Sequence, residues 1–188
     1  MVPDYGQILY IMKEFCMGIT PTAEEHEVTK VDIIVSKGDE KGDITYANPI
    51  FFKLAGYTQA ELLEKPHSII RHPDMPKIIF KYLWDTIQAG NDVKAFVKNL
   101  CKDGGFYWVL AHVRVATNPD GSFRNYVSTR KGMSAAARTV IEPLYKDLLA
   151  AEASGGMDAS LPVLEAFLKD NGASLATFND AMQKIQNS

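Results

Sequence analysis

Apolar residues recur at helical spacing near both ends of the chain and alternate with polar residues in its middle. In residues 4–17 the apolar side chains fall on one stripe, which predicts an amphipathic helix. The stripe consists of Ile8, Leu9, Ile11, Met12 and Phe15. A polar, acidic stretch from Thr20 to Lys30 follows. We therefore expect residues 1–30 to form an N-terminal helix and a linker.

Five segments with strand-like patterns lie between residues 31 and 132, the span that we assign to the central domain. They are Val31–Ser36, Ile44–Ala47, Val93–Cys101, Phe106–Thr117 and Phe123–Lys131. Turns at 102–105 and 118–121 join the last three as consecutive hairpins, so these strands should be antiparallel neighbours. Two short helices are predicted after the second strand, one opened by Asn48 and one capped by Thr58 with Glu61. This order predicts an α+β fold, a five-stranded antiparallel sheet with helices on one face.

The predicted strand 106–117 is apolar on both faces near its start. One face carries Tyr107, Val109, Ala111, Val113 and Val115, and the other carries Phe106, Trp108, Leu110, His112 and Arg114. A sheet with one face in water would instead alternate apolar and polar residues. We therefore expect the outer face to be covered by the N-terminal helix, by C-terminal helices or by a second subunit.

Residues 133–188 have a helical pattern and form the predicted C-terminal extension. Ser134 should cap a helix whose stripe consists of Val140, Leu144, Leu148 and Ala151. Pro143 is expected to kink this helix. The small residues at 153–156 should break it, and the segments Leu161–Lys169 and Leu175–Ile185 then resemble a helical hairpin.

Composition narrows the classes of function. The chain has 188 residues, of which 46% are hydrophobic and 23% are charged, as in ordinary soluble domains. A net charge of −3 and the lack of a basic block argue against nucleic acid as a partner. No apolar run has the length of a membrane span and no signal-peptide layout is present, so we expect a cytoplasmic protein. Cys16 and Cys101 suggest neither a disulfide nor a zinc site.

The run from Ile70 to Pro76 places a cation, an imidazole and a carboxylate within four residues and contains two stiffening prolines. Asp74 is the expected N-cap of a helix that has Pro76 in its first turn and runs on through Lys77 to about Ala89. Arg71 and His72 would then lie at a helix N-terminus, which suits polar or anionic groups of a ligand. A plain helix start with a solvated Arg71 and His72 is the alternative.

Two further residues are candidates for contact with a ligand. Trp84 shares one face of the predicted helix with Phe80 and Ile87, and that face could line an aromatic cofactor or belong to the core. Asn99 lies on an otherwise apolar strand face, where a buried amide needs a hydrogen-bond partner. A ligand is our preferred partner for Asn99.

These motifs and the strand order resemble a PAS domain, most closely that of the bacterial aerotaxis receptor (Aer) family. The matching residues are Tyr46-Ala47-Asn48, Ala55-Gly56-Tyr57-Thr58, Pro66-His67, Arg71-His72-Pro73-Asp74-Met75-Pro76, Val97-Lys98-Asn99, Tyr107-Trp108-Val109, Tyr126-Val127-Ser128 and Glu142-Pro143-Leu144-Tyr145-Lys146. The resemblance covers roughly residues 30–150. It implies FAD as cofactor, with contacts from Asn48, Arg71, His72, Asp74 and Trp84.

The resemblance also implies a function, that of a redox or oxygen sensor in aerotaxis. Soluble helices after residue 150 make the chain look like the standalone PAS partners of split aerotaxis systems, of the CetB kind. Such a protein is expected to act as a homodimer and to signal to a chemoreceptor-like partner. The sequence contains no recognisable nucleophile–base pair, phosphate loop or kinase signature, so we do not expect an enzyme.

Three alternatives to the FAD sensor stay open from the sequence. PAS domains can also hold haem through a histidine near the long helix, and His67 and His72 both lie near its start. The chain could also be a ligand-free interaction module, or an undescribed flavoenzyme.

Overall fold

The computed structural model describes residues 18–188, and the predicted helix at 4–17 lies outside these residues. Its centre is a five-stranded antiparallel sheet with the spatial order β2-β1-β5-β4-β3. The strands are β1 Ile34–Gly38, β2 Ile44–Ala47, β3 Val93–Leu100, β4 Phe106–Thr117 and β5 Phe123–Gly132. The predicted α+β architecture is confirmed, and β5 is its central strand.

The first strand starts three residues later than predicted. Asp32 accepts hydrogen bonds from the backbone N–H of Thr29 at 2.9 Å and from its hydroxyl at 2.7 Å, which closes a turn. Val31, taken as the first strand residue, is 85% exposed. Because the side chain of Asp32 stabilises a turn here, regular pairing begins only at Ile34.

Helices lie on both faces of the sheet. They are α1 Pro49–Ala55, α2 Gln59–Leu62, α3 Lys77–Gln88, α4 Ala135–Asp170 and α5 Phe178–Asn187, with short 3₁₀ helices at His67–Ile70 and Leu175–Thr177. The predicted capping box of Thr58 and Glu61 is present. Within residues 18–188, no helix combines the length and the apolar composition needed to cross a membrane.

The outer face of the sheet is covered by the C-terminal helices, one of the three coverings expected. The ring of Tyr145 on α4 packs on Trp108, with ring centroids 5.8 Å apart, and its hydroxyl donates to the carbonyl of Phe96 at 2.6 Å. Asn179 on α5 accepts from the N–H of Lys94 at 2.7 Å and donates to the carbonyl of Asp92 at 2.8 Å. These side chains satisfy backbone groups at β3, the edge strand, and so protect the edge.

The predicted break in the C-terminal helix is confirmed. Gly155 and Gly156 have non-helical dihedral angles within α4, and Gly156 has a φ of 70°, which glycine adopts without steric cost. Pro143 is accommodated within the helix. After the break, α4 continues to Asp170, and α5 returns beside it as the second helix of the predicted hairpin.

The prediction that Asp74 caps α3 is wrong. Pro76 is the N-cap residue and has an extended backbone, with φ −60° and ψ 138°, so the helix begins at Lys77, beyond the reach of Asp74. The carboxylate of Glu152 on α4 instead accepts from the N–H groups of Lys77 at 3.0 Å and Ile78 at 2.8 Å. Asp74 is exposed and pairs with Lys98 at 2.7 Å. A residue 75 positions away therefore caps α3.

Glu152→Ala should lower the free energy of unfolding by about 1–2 kcal/mol, the usual effect of losing a helix cap. The free N–H groups of Lys77 and Ile78 should also exchange faster with solvent. Urea denaturation and amide hydrogen exchange measure the two effects. Asp74→Ala is the control and should leave exchange at the start of α3 unchanged. If amide exchange at the start of α3 were faster in Asp74→Ala than in Glu152→Ala, Asp74 would be the cap of α3, as the sequence predicted.

A candidate ligand-binding cavity on the inner face of the sheet

A cavity of about 450 Å³ lies between the inner face of the sheet, helix α3 and the segment 66–71. It is lined by Ser36, Gly38, Lys41, Gly42, Asp43, Pro66, His67, Ser68, Arg71, Phe80, Leu83, Trp84, Ile87, Val97, Asn99, Ala111, Val113, Tyr126, Ser128 and Arg130. Small-molecule sites commonly have volumes of about 300–1,000 Å³. The cavity can therefore hold a cofactor-sized ring system.

Helix α3 supplies an apolar wall. Phe80, Leu83, Trp84 and Ile87 all face the cavity, as the helical spacing predicts. The indole of Trp84 meets the ring of Tyr126 edge to face, with centroids 5.7 Å apart and planes at 86°. Aromatic side chains from the helix and from the sheet therefore meet at the cavity.

Gly42 allows Trp84 to take this position. A Cβ atom on Gly42 would lie 2.8 Å from the indole ring, closer than real Cβ contacts occur. Gly42 also has a φ of 90°, in the left-handed region that glycine adopts without steric cost. The turn between β1 and β2 thus needs glycine both for its backbone and for the close approach of the indole.

Arg71 lines the cavity, as the sequence suggested. The backbone of Arg71 forms an isolated bridge with Asn99 on β3, which fixes the start of its side chain. Its guanidinium carbon lies 3.9 Å from the centroid of the Phe80 ring, a cation–π contact. Arg71, Trp84 and Asn99 are therefore brought together on one cavity, and their contact with a cofactor stays a prediction.

The other three predicted contacts do not line the cavity. Asn48 caps α1 by accepting from the N–H of Phe51, and its amide also bonds to the backbone of Ile33 and Val35. The ring of His72 packs edge-on against Phe106, 5.9 Å between centroids, on the opposite face of the sheet. Asp74 is exposed. For Asn48 the helix cap and the hydrogen bonds to the backbone of Ile33 and Val35 explain the residue.

His72 occupies a low-dielectric position although it lies outside the cavity. Its side chain is buried and its Nδ1 accepts from the N–H of Asp74 at 3.1 Å. Burial, together with the charge of Lys98, lowers the pKa of His72 to about 4. His72 is thus a neutral imidazole at pH 7 and cannot offer a positive charge to a ligand.

The cavity lining includes a polar cluster that was not predicted from the sequence. Arg130 on β5 donates from one terminal nitrogen to the Ser36 hydroxyl at 3.1 Å and to Nε2 of His67 at 3.0 Å. Ser36 and His67 also contact each other at 2.8 Å. Burial, together with the charge of Arg130, lowers the pKa of His67 to about 3. His67 is therefore neutral and accepts the guanidinium hydrogen bond at Nε2.

Three buried polar atoms at the cavity have no hydrogen-bond partner among residues 18–188. They are Nδ2 of Asn99, Oγ of Ser128 and Nη1 of Arg130. Their residues are between 3% and 7% exposed. Because a buried polar group without a partner costs roughly 1–3 kcal/mol, these atoms call for a polar ligand or ordered water.

A pattern in the sequence could have identified part of this cluster. Tyr126, Ser128 and Arg130 alternate along β5, so they share one face of the strand. Pairing of Ser36 with Ser128 across β1 and β5 places both hydroxyls on that face. The alternation was readable in the sequence, but the central position of β5, which buries these residues, was not.

Comparison with known proteins assigns the domain to a family. Residues 44–130 match the PAS fold family, and this part of the chain is a PAS domain. It is a PAS domain of the aerotaxis-receptor type. The aerotaxis receptor of Escherichia coli (strain K12) is 37% identical over 135 residues, which are 72% of this chain and 26% of the receptor. The resemblance inferred from the sequence is confirmed.

A second relative is a regulatory protein. The nitrogen fixation regulatory protein of Klebsiella pneumoniae is 28% identical over 107 residues, which are 57% of this chain and 22% of that protein. The matched regions span about a quarter of the length of these curated relatives. The chain thus shares a sensor domain with longer receptors and regulators.

Solved structures confirm the fold. A light-oxygen-voltage (LOV) domain, solved in a study of a flavin analogue, superposes with a TM-score of 0.52 at 20% identity. The match covers 61% of the present chain and 86% of the LOV chain. The light-state structure of the Aureochrome1 LOV domain gives a TM-score of 0.51 at 20% identity. This match covers 66% of the present chain and 93% of the Aureochrome1 chain. The five-stranded sheet with its helices is therefore the PAS/LOV fold.

Gly42→Ala should displace the Trp84 indole, since the new methyl group would occupy its position. We expect a shift of the tryptophan emission maximum and a loss of stability larger than the roughly 1–2 kcal/mol that alanine costs at positive φ. Gly121→Ala is the matched control, because Gly121 has a φ of 83° and no other atom lies within 4 Å of the place its Cβ would take. Fluorescence spectra and urea denaturation of both variants check this. Equal effects of both substitutions would refute the role of Gly42 in positioning Trp84.

Proposed function

We propose that this chain is a PAS sensor that binds FAD in the inner cavity and reports redox state, or the linked oxygen or energy status, in aerotaxis. The observation that carries the proposal is the set of three unpartnered buried polar groups, on Asn99, Ser128 and Arg130, facing a cavity with an aromatic wall. The edge of a flavin ring offers acceptors and donors to such groups, and its faces suit aromatic and aliphatic side chains. A bound flavin would supply reversible electron storage.

The chain's own residues have distinct parts in this site. Trp84 and Phe80 form the flat wall against which a ring can pack, and Asn99 and Ser128 orient its polar edge. Arg71 at the cavity wall suits a ring oxygen or a phosphate. The exposed Lys41 at the β1–β2 turn also lines the cavity and offers a second cation where water reaches. The aerotaxis receptor among the relatives and the flavin-analogue structure support this choice of ligand.

Haem is the second candidate, and two contacts disfavour it. An axial histidine needs a ring nitrogen directed at the iron. The Nε2 of His67 is already in contact with Ser36 and Arg130, and His72 lies on the opposite face of the sheet. A ligand-free interaction module is disfavoured because the three polar groups would depend on water alone.

A redox response is favoured over a light-driven flavin–cysteine adduct. Cys101 is the free cysteine among residues 18–188, and it is buried at the end of β3 without lining the cavity. Its thiol donates to the carbonyl of Leu54 at 3.1 Å. Burial raises the pKa of Cys101 to about 12, so the thiol is a poor nucleophile.

The signal would leave the cavity through the C-terminal helices. Helix α3 lines the cavity, and Glu152 on α4 holds its first turn. Strand β3 carries Asn99 toward the cavity, and Tyr145 on α4 bonds to the carbonyl of Phe96 on the same strand. A shift of either wall thus changes a contact with α4, and packed interfaces tend to switch between discrete arrangements. The partner we propose is a chemoreceptor-like signalling protein of the cytoplasm, contacted by a homodimer of this chain.

The purified protein should be yellow and should release FAD on denaturation. An absorbance spectrum separates a flavin from haem, which would show a Soret band, and chromatography of the supernatant separates FAD from FMN. The proposal would be contradicted if the purified protein released FMN or haem. It would also be contradicted if protein refolded with FAD released no cofactor.

Arg71→Ala should lower flavin occupancy, because it removes several hydrogen-bond donors from the cavity wall. Arg114→Ala is the control, since Arg114 is exposed on the outer face of β4. Flavin absorbance per protein, measured after identical purification, gives the occupancy of each variant. Full occupancy in Arg71→Ala would show that the Arg71 side chain serves structure alone.

A further inference from the structure

Arg130 is a buried cation without a counter-charge. Its side chain is 5% exposed at the centre of the sheet, between Ile34 on β1 and Ala111 on β4. Its hydrogen-bond partners, Ser36 and His67, are both neutral, and it takes part in no ion pair within residues 18–188. The Phe51 ring, 5.3 Å from the guanidinium carbon, offers only a cation–π contact. A buried charge of this kind is costly unless an anion accompanies it.

The cavity supplies the space for that anion. Nη1 of Arg130 has no partner in the described part of the chain, and Arg130 lines the cavity. The carboxylate that also lines the cavity, Asp43, forms no ion pair with Arg130. The missing negative charge therefore belongs to whatever the cavity binds.

We propose that Arg130 is the counter-charge to the ligand's ring system, so that the cavity binds the reduced, anionic flavin more tightly than the oxidised, neutral one. This inference rests on the proposed function. Reduction of the neutral ring by two electrons with uptake of one proton leaves one negative charge on the ring. A fixed cation within hydrogen-bond distance stabilises that charge strongly where water is excluded.

The position of Arg130 favours the ring over the phosphates of FAD. Arg130 lies at the buried centre of the sheet, whereas Lys41 lies at the exposed edge of the cavity. Phosphate groups are strongly hydrated, and their transfer into an apolar interior is unfavourable. The planar ring is the part of the cofactor that an apolar cavity can enclose, so it is the part that meets Arg130.

Replacing Arg130 leaves neither Ser36 nor His67 without a hydrogen-bond partner. The stability of an Arg130 variant therefore reports on the charge itself. Ser36 and His67 remain in contact with each other at 2.8 Å when the guanidinium is removed. If Arg130 served structure alone, Arg130→Met would destabilise the flavin-free protein. If Arg130 instead serves to pair with an anionic ligand, Arg130→Met should stabilise the flavin-free protein, because the substitution removes a buried, uncompensated charge.

The experiment compares wild type with Arg130→Met, Arg130→Lys and the exposed control Arg114→Met. We expect flavin-free Arg130→Met to melt about 2–4 °C higher than flavin-free wild type. Titration with oxidised FAD and with dithionite-reduced FAD should show that Arg130→Met loses a preference of about ten- to a hundredfold for the reduced form. This equals a fall of about 30–60 mV in the two-electron midpoint potential. Arg130→Lys keeps the charge and should keep most of the preference, and Arg114→Met should match wild type.

Three outcomes would overturn the inference. An unchanged preference for reduced FAD in Arg130→Met, with lower melting of the flavin-free protein, would make Arg130 structural while FAD binding stands. Weaker binding of FAD but unchanged binding of riboflavin, which lacks phosphate, would place the phosphates at Arg130. Failure of wild type to bind any flavin would remove the proposed function itself, a result that the wild-type titration shows before any variant is compared.

Discussion

A single antiparallel sheet with apolar side chains on both faces must be covered on both, and the rest of this molecule follows from that constraint. On the outer face, Trp108 and its neighbours are covered by α4 and α5. On the inner face, α3 and the segment before it stand off from the strands and leave a cavity. The two coverings are connected, because Glu152 of the outer layer caps the helix that lines the inner cavity. The C-terminal helices are thus part of the sensor's structure as well as its proposed output.

The inner cavity combines mostly apolar walls with a few buried polar groups. Most of its walls are aliphatic or aromatic, yet the central strand β5 places Ser128 and Arg130 at its floor. Protein cores normally avoid such groups unless they are paired, since desolvation disfavours the charged form. The same desolvation keeps His67 neutral and makes it an acceptor. A cation held by neutral partners is energetically suited to a ligand whose charge changes, which is the property that a redox sensor requires.

Much of the fold was predictable because its signals are local. Alternation of apolar residues and glycine turns identified the three long strands, and Asn48, Thr58 and Glu61 identified two helix starts. The site was predictable in part. Trp84 and Asn99 reach the cavity because helix and strand periodicity determines which residues share a face. Arg71 reaches it because its backbone forms a bridge with Asn99. The predicted caps that depended on neighbouring residues alone were correct, whereas that of α3 was not, because its partner lies in a distant helix.

The sequence by itself therefore determined most of the secondary structure, the fold class and the family, since periodicity, turn residues and short motifs act over a few positions. Only the tertiary structure decided which polar residues became buried. Arg130 reads as one polar residue in an alternating strand, and it becomes a buried, unpaired cation because β5 takes the centre of the sheet between β1 and β4. His72 and Arg71 are neighbours in the chain, yet they point to opposite faces because the segment forms a bridge with β3 at Arg71. Burial and charge balance depend on contacts between distant segments, and those contacts exist only once the sheet has assembled.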